Sequence, residues 1–375
     1  MDLLGLLLYS IPMEKLKLKR LWLLVPGVVA LALTWLAQIS PSVTDAVFSR
    51  GLYPWLSSAW GFLPSLVPWS VAQWVVVAFL LACLFYLVWY VRAFVKEKGA
   101  RRFVLWRALA TALAVMSVGF TIFALMCGLN YYRFTFAQDA GFELRESTPE
   151  ELITLCENLA AATNEARAQV PEDADAYAAD QGGFEAYAQA AVDNMEALAL
   201  EYPALSRPLY SPPKPVLFSE VLSYLDIAGM YFPFTVESNI NVDGPFFTIP
   251  ATMGHELAHQ CGFMREDEAN FIGYLACKNA SDPLTRYSGY SLAYDYAISA
   301  LVRADRERAV AINDTLSDTV KADRRARSEF LKKYEGPVAQ ASNAANNAYL
   351  KANQQQDGTR SYGRMVDLLL AEARS

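Results

Sequence analysis

The feature that most restricts the fold is the absence of charge from three long segments. Residues 21–39, 69–91 and 108–132 contain no Asp, Glu, Lys or Arg, and each has about the length of the roughly 20 apolar residues that a helix needs to cross a bilayer core. One such segment is compatible with a buried core helix or a cleaved signal peptide. Three in succession, in a chain that is 54% hydrophobic, are typical of a membrane-anchored protein. The sequence therefore predicts three transmembrane helices.

Basic residues flank these segments unevenly. Four precede the first segment and six lie between the second and third, whereas residues 40–68 carry only Arg50. Lys and Arg next to a span resist translocation, so both basic stretches are predicted to be cytoplasmic and the chain after residue 132 extracytoplasmic. The sequence "EKLKLKR" that follows Met13 is typical of a natural N-terminus, which makes Met13 an alternative start. The basic residues are Lys15, Lys17, Lys19, Arg20, Arg92, Lys96, Lys98, Arg101, Arg102 and Arg107.

Residues 133–375 have the composition of a separate, acidic domain. Of the 32 basic and 39 acidic residues in the chain, 21 and 35 lie here, which gives a net charge of −14. That sign disfavours binding to nucleic acid, and the length is sufficient to bury a full core. We therefore divide the chain into a membrane domain, residues 1–132, and an extracytoplasmic domain, residues 133–375.

Cysteine usage does not indicate a disulfide framework. Cys83 and Cys127 lie in predicted spans, which leaves the odd set Cys156, Cys261 and Cys277 outside. The predicted export still permits a Cys261–Cys277 bridge.

Local signals in the acidic domain are mainly helical. Thr148 as N-cap, Pro149 at the first helical position and Glu151 in a capping box predict a helix over residues 148–170. An acidic loop is predicted next, followed by a helix over residues 184–202. The stretch "YFPFTVESNINVDGPFFTIP" is typical of strands. We expect a mainly α fold with a small β element.

The sequence "HELAH" contains both histidines of the chain. On a helix His255 and His259 lie one turn apart on the same face, so both imidazoles can reach one cation, while Glu256 can contact a water on that cation. Two polar helix residues without a metal are the alternative. That alternative does not account for the ligand spacing of the only two histidines. The motif predicts a Zn²⁺ site, with Glu256 as general base.

A catalytic zinc ion has three protein ligands, so a third must follow. Gly262 is suited to end the first helix in a left-handed cap, after which a second helix can return over the metal. In that helix Glu266 and Asn270 share a face, which favours Glu266 as ligand and Asn270 as the partner of a ligating histidine. Glu268 is the alternative ligand, and Asp267 also remains open.

The residues after the spans resemble a known family. The segments "HELAHQ" and "EDEANFIGYLAC", with "PFTVESNIN", "YSGY" and "SYGRMVDLLL", resemble an uncharacterised bacterial family of membrane-anchored proteins related to zinc metallopeptidases. The chain is more loosely similar to gluzincins, whose E-x-x-A-D/N pattern is met by Glu266, Ala269 and Asn270. Only six residues separate His259 from Glu266, fewer than in many gluzincins, and the next ligand position of the metzincin pattern is here Arg265.

The resemblance implies a zincin-like domain on the outer face of a bacterial cytoplasmic membrane that hydrolyses peptide bonds. Its partners would be a peptide or protein substrate and the lipid bilayer. Tyrosine or arginine must stabilise the oxyanion, because both histidines already serve as ligands. Tyr287, Tyr290 and Tyr362 are candidates. Tyr287 is the residue we select. By analogy with gluzincins, the strand "FTVESNIN" would offer an exposed edge to an extended peptide.

Two other classes of protein compete with the peptidase. A non-catalytic zinc-binding sensor or scaffold would use the spans to transmit a conformational signal. A transporter would place ionisable residues within its spans to form a pathway, and the three uncharged segments have none.

Overall fold

The computed structural model describes residues 22–353 and 364–375 and is mainly helical. Met13, the four basic residues that precede the first span, and Tyr362 lie outside the described residues.

Three helices are long and apolar enough to cross a membrane, which confirms the prediction of three membrane-like segments near the N-terminus. They are α1, Val25–Ile39, which follows a 3-10 turn at Trp22–Leu24, α3, Val71–Lys96, and α4, Arg101–Met126. Helix α4 begins before the predicted 108–132 segment and ends earlier. Absence of charge indicates where the bilayer lies, whereas Arg and Lys are good helix formers that extend a helix beyond it.

The segment between the first two apolar helices is helical and packs against the second domain. It contains a turn at Pro41–Val43, a π-helix at Thr44–Leu52 and helix α2, Tyr53–Ser65. Tyr53 is fully buried, and a Cβ atom on Gly61 would lie 3.2 Å from Val236. The boundary at residue 132 therefore separates two parts that contact each other closely.

The second domain packs helices around one core and contains a small sheet. Helix α6 begins at the predicted capping box, in which the Thr148 and Glu151 side chains each bond the other residue's backbone N–H. The predicted acidic loop contains a short helix, α7, because Asp173 caps it by accepting a hydrogen bond from Ala176 N. All five cysteines are free, so no Cys261–Cys277 bridge forms. The helices are α5 Phe136–Ala140, α6 Pro149–Ala168, α7 Ala174–Asp180, α8 Gly183–Glu201, α9 Ser219–Tyr224, α10 Ile249–Gln260, α11 Glu266–Lys278, α12 Pro283–Ala304, α13 Arg306–Asp314, α14 Asp318–Tyr334, α15 Pro337–Ala352 and α16 Met365–Glu372.

The sheet has three strands in the order β1, β3, β2. Strand β3, Glu237–Ile240, pairs in parallel with β1, Lys214–Pro215, and antiparallel with β2, Gly229–Phe232. The predicted exposed edge in "FTVESNIN" is therefore wrong, because β3 has a partner on both sides and all four of its residues are buried. Within the described residues, β2 is the edge strand next to helix α10.

A buried carboxylate connects this sheet to the second of the three apolar helices. Glu237 in β3 accepts hydrogen bonds from the backbone N–H groups of Val71, at 3.0 Å, and Ala72, at 2.7 Å, in the first turn of α3. Lys214 Nζ lies 2.6 Å from the same carboxylate. An anion at a helix N-terminus satisfies otherwise unpaired donors and interacts favourably with the helix dipole, so α3 and β3 are held together.

Helices α10 and α11 cross at two glycines, and this contact positions the histidine motif. A Cβ atom on Gly254 would lie 3.0 Å from Gly273 Cα, and one on Gly273 would lie 2.9 Å from both Ala251 O and His255 N. No side chain fits between backbones at these distances. The two helices can therefore approach closely only because both positions lack a side chain.

We expect Gly273→Ala to push α11 away from the backbone of His255. The cost of such overpacking is roughly 1–3 kcal/mol, so thermal unfolding should occur at a lower temperature. Gly119→Ala in α4 is the matched control, since a Cβ atom there has no heavy atom within 4 Å. Equal unfolding temperatures for the two variants would contradict the role given to this crossing.

Candidate metal centre

A tight turn between α10 and α11 brings the motif residues together. His255 and His259 lie on successive turns of α10, and Gly262, with φ of +85°, follows the end of that helix in the left-handed conformation predicted for it. Helix α11 then begins at Glu266, which lies opposite the two imidazoles.

Three potential ligand atoms converge in this turn. His255 Nε2 and His259 Nε2 are 3.1 Å apart. The Glu266 carboxylate lies 3.3 Å from His255 Nε2 through Oε2 and 3.8 Å from His259 Nε2 through Oε1. Two nitrogens bound to one tetrahedral zinc ion at its usual bond length are about 3.3 Å apart, so the spacing of the imidazoles fits a shared cation.

The other imidazole nitrogens have acceptors of their own. His255 Nδ1 lies 3.0 Å from Asn270 Oδ1, and His259 Nδ1 lies 2.8 Å from the backbone oxygen of Phe263. Each Nδ1 therefore carries a proton, and each Nε2 is directed toward the other and toward Glu266. Two Nε2 lone pairs at this distance repel unless a proton or a metal ion lies between them. Residues His255, His259 and Glu266 thus have the donor chemistry of a metal site.

Burial and neighbouring charges set different pKa values for the two histidines. Burial lowers the pKa of His255, but Glu266 and Glu256 outweigh it and raise the pKa to about 9. Burial also lowers the pKa of His259, and the charge on His255 lowers it further, to about 4. Without a metal, the cluster therefore holds one proton on His255.

This proton competes with a metal ion for the same lone pair. Below the pKa of His255 the ion must displace the proton, so we expect apparent zinc affinity to rise at least about tenfold per pH unit and to level off above about pH 9. Calorimetry in buffers of different ionisation enthalpy should detect at least about one proton released per zinc ion near neutral pH, because a bound cation also favours the ionised form of Glu256. An affinity that does not change between about pH 6 and about pH 8 would contradict this linkage.

Glu256 lies beside the cluster and against the edge strand. Its side chain is 3% exposed, and Oε2 has no hydrogen-bond partner among the described residues. A Cβ atom on Gly229 of β2 would lie 2.6 Å from Glu256 Oε1, so only glycine leaves room for this carboxylate. Burial raises the pKa of Glu256 to about 8, although His255 and the Tyr231 backbone N–H oppose the shift. A buried carboxyl group with one oxygen that has no partner is suited to accept a proton from a substrate or a water.

The alternative acidic residues point away from the cluster. Glu268 Oε1 accepts a hydrogen bond from Phe136 N at 3.1 Å and lies 3.4 Å from Arg265. Asp267 lies 3.5 Å from Arg364. Of the three successive acidic residues that begin α11, only Glu266 contacts the histidines.

The tyrosines selected from the sequence are not brought to the cluster. Tyr287 is fully buried, and its hydroxyl donates to Asp323 at 2.7 Å. Tyr290 packs against the ring of Tyr274. The structure brings Tyr296 close instead, and its hydroxyl accepts a hydrogen bond from Asn270 Nδ2 at 3.1 Å. Tyr287 and Tyr296 lie nine residues apart on α12, on opposite faces of that helix, so Tyr287 is not positioned to stabilise an oxyanion at the cluster.

The sequence analysis missed Tyr296 because no local spacing relates it to the motif. It lies 26 residues after Asn270, on a helix that packs against α11. By holding the Asn270 amide in one orientation, Tyr296 helps to fix the tautomer of His255.

Comparison with known proteins identifies one family. Its model, described as "Protein of unknown function (DUF3810)", matches residues 48–370, which include α2, the second and third apolar helices and the whole His255, His259 and Glu266 cluster. No curated protein and no solved structure matches the chain. Because the match covers most of its length, the chain belongs to the DUF3810 family.

Proposed function

We propose that this protein is a membrane-anchored, zinc-dependent peptidase with a zincin-like site. The observation that carries the proposal is the convergence of His255 Nε2, His259 Nε2 and Glu266 within 3.8 Å, beside the buried carboxyl group of Glu256, whose Oε2 has no partner among the described residues. Two imidazoles and one carboxylate, with a further carboxylate that is not a ligand, form the donor set of hydrolytic zinc sites.

Each residue of the cluster has a definable role. His255, His259 and Glu266 would hold a zinc ion, and Asn270 and the Phe263 carbonyl would orient the imidazoles. A bound zinc ion supplies Lewis acidity toward water and a peptide carbonyl. Glu256 would accept a proton from the attacking water and transfer it to the leaving amine, so that one water molecule is added across the broken C–N bond. A nearby cation favours the ionised carboxylate that this role requires.

The substrate would bind as an extended strand along β2. The backbone N–H of Tyr231 is directed toward Glu256 and therefore away from β3, so the free side of β2 borders the proposed general base. An extended peptide can extend a sheet at such an edge through backbone hydrogen bonds, which gives affinity without strict sequence selectivity. The strand that would pair with the peptide is therefore Gly229–Phe232 and not the "FTVESNIN" strand.

The experiment that tests the function is a cleavage assay on the purified full-length chain in detergent. A peptide library would be incubated with the zinc-loaded protein, with the chelated protein, and with the chelated protein after zinc is restored. We expect cleavage in the first and third samples only. Equal cleavage in all three would show that the activity does not depend on the metal, which would overturn the proposal.

A zinc-binding sensor or scaffold is the second candidate. The hydrogen bonds from Val71 and Ala72 to Glu237 favour it, because they connect the start of a span to the sheet that borders the cluster. Stable zinc binding without cleavage of any peptide would support this function over the peptidase.

We further propose that the N-terminus is cytoplasmic and the second domain extracytoplasmic. A reporter that is active only outside the cytoplasm should be active when it is fused after Ser375, because the basic stretches retain the cytoplasmic ends of the spans. The matched fusion within the basic loop, after Lys98, should be inactive. The reverse pattern of reporter activity would show that the topology is opposite to the one proposed.

A further inference from the structure

Helix α2, between the first two spans, exposes an apolar stripe. Four large apolar residues of this helix and its caps are 54–73% exposed. They are Leu52 at the N-cap, Trp55, Leu63, and Leu66 at the C-cap. Their spacing of three, eight and three residues places them on one side of a helix. The opposite side, which includes Tyr53, Ser57 and Gly61, is buried against the rest of the protein. The helix therefore directs its small and polar residues inward and its large apolar residues outward.

The second domain extends this apolar surface. Leu217, just before α9, is 69% exposed, and Val221, within α9, is 56% exposed. The Phe218 ring packs against Trp74 in the first turns of α3. Leu217 N also donates to Gln73 Oε1 at 3.0 Å. Large contiguous apolar patches are uncommon on surfaces that face water.

Exposed tryptophans surround the same region. All eight tryptophans of the chain lie before residue 107. Five of them are near the end of α1, in α2 or at the start of α3, and each is at least 45% exposed. Tryptophan concentrates at the boundary between lipid and water. The five are Trp35, Trp55, Trp60, Trp69 and Trp74.

We propose that this surface, formed by the outward side of α2 together with Leu217, Phe218 and Val221, lies in the interface of the bilayer that holds the three spans. The partner is lipid because the surface is continuous with the first turns of α3, and because an apolar stripe flanked by tryptophan is the pattern of interfacial helices. Helix α2 thus runs along the membrane surface and adds a fourth membrane contact to the three spans.

This placement brings the metal centre close to the membrane. The Tyr53 hydroxyl lies 3.4 Å from the backbone oxygen of Met126, at the end of α4, and 3.4 Å from that of His259. A single hydroxyl group therefore separates the end of the third span from the ligand helix.

The edge strand leads toward the same interface. Strand β2 begins at Gly229, beside Glu256, and ends at Phe232, and Trp60 Nε1 donates to Phe234 O, in the turn that follows, at 2.9 Å. Four strand residues span about 13 Å. If the proposed peptidase function holds, the preferred substrate is a polypeptide anchored in the same membrane and cut within a few residues of the lipid surface.

Site-directed spin labelling of the full chain in lipid nanodiscs tests the surface without depending on activity. Cys83 is the only exposed cysteine, so Cys83→Ala provides a background in which single labels can be introduced. Labels would be attached at Leu63→Cys in α2, at Leu84→Cys in the middle of α3, and at Val310→Cys in the charged helix α13. All three positions are more than half exposed, so the substitutions should not disturb the core.

We expect the label at position 63 to be more accessible to oxygen, and less accessible to a water-soluble nickel chelate, than the label at position 310. The depth of this label in the bilayer should be intermediate between the depths of the labels at positions 310 and 84. A profile like that of position 310 would place α2 in water and overturn the proposal. A depth equal to that of position 84 would also overturn it, because α2 would then be inserted among the spans.

The substrate class is tested separately in liposomes. One peptide sequence would be supplied in soluble form and attached to a lipid by a short linker, with a water-soluble carrier as the control for the linker. Faster cleavage of the lipid-linked form is expected, and equal rates would contradict the preference for membrane-anchored substrates. If neither form is cut while zinc stays bound, the peptidase function fails together with the substrate class. The spin-label result would still stand.

Discussion

Replacement of Glu256 by glutamine is expected to leave about one zinc ion per chain and to remove most peptide cleavage. Glutamine has nearly the same shape as glutamate and can still accept a hydrogen bond from the Tyr231 backbone, so the packing against Gly229 should be retained. It cannot accept the proton of the attacking water. General-base catalysis typically contributes roughly a hundredfold or more, and the loss in kcat should have that size.

The comparison requires wild type, Glu256→Gln and His255→Ala, each assayed for zinc by elemental analysis and for peptide cleavage. His255→Ala should lose the metal and the activity together, since two remaining ligands hold zinc poorly. If Glu256→Gln cleaves as fast as wild type, the hydrolytic mechanism proposed for this residue is wrong. If all three proteins fail to cleave while wild type retains zinc, the sensor or scaffold becomes the better interpretation.

Replacement of Glu266 by alanine is expected to remove most of the bound zinc. Its carboxylate is the only one among the described residues within 3.8 Å of both imidazoles. Glu268→Gln is the matched control, because it changes a neighbouring carboxyl group that bonds Phe136 N and does not face the histidines. Glutamine retains an acceptor for Phe136 N, whereas alanine would leave that buried donor unpaired, at a cost of about 1–3 kcal/mol.

Zinc content by elemental analysis and the unfolding temperature with and without zinc would distinguish the two carboxylates. We expect zinc to raise the unfolding temperature of Glu268→Gln as it does that of wild type, and to have little effect on Glu266→Ala. The opposite pattern would transfer the ligand role to Glu268. Retention of zinc by both variants would show that neither carboxylate is required.

Local patterns in the sequence were sufficient for several parts of this protein. The three apolar helices follow from the absence of charge over the width of a bilayer, and helix α6 begins where the Thr148 and Glu151 capping box predicts. The side-by-side placement of His255 and His259 is a property of any helix with four-residue spacing. The left-handed Gly262 and the shared side of Glu266 and Asn270 also arise within a few residues of one another.

Only the tertiary structure decided which distant residues meet. Tyr296 contacts Asn270 because α12 packs on α11, and the selected Tyr287 faces Asp323 on the other side of the same helix. The edge strand is β2, since strand order depends on pairing between segments that are far apart in the chain. The apolar stripe of α2 resembles an ordinary amphipathic pattern in the sequence. The fold determines which side is covered, because burial depends on what packs against a helix as well as on its own residues.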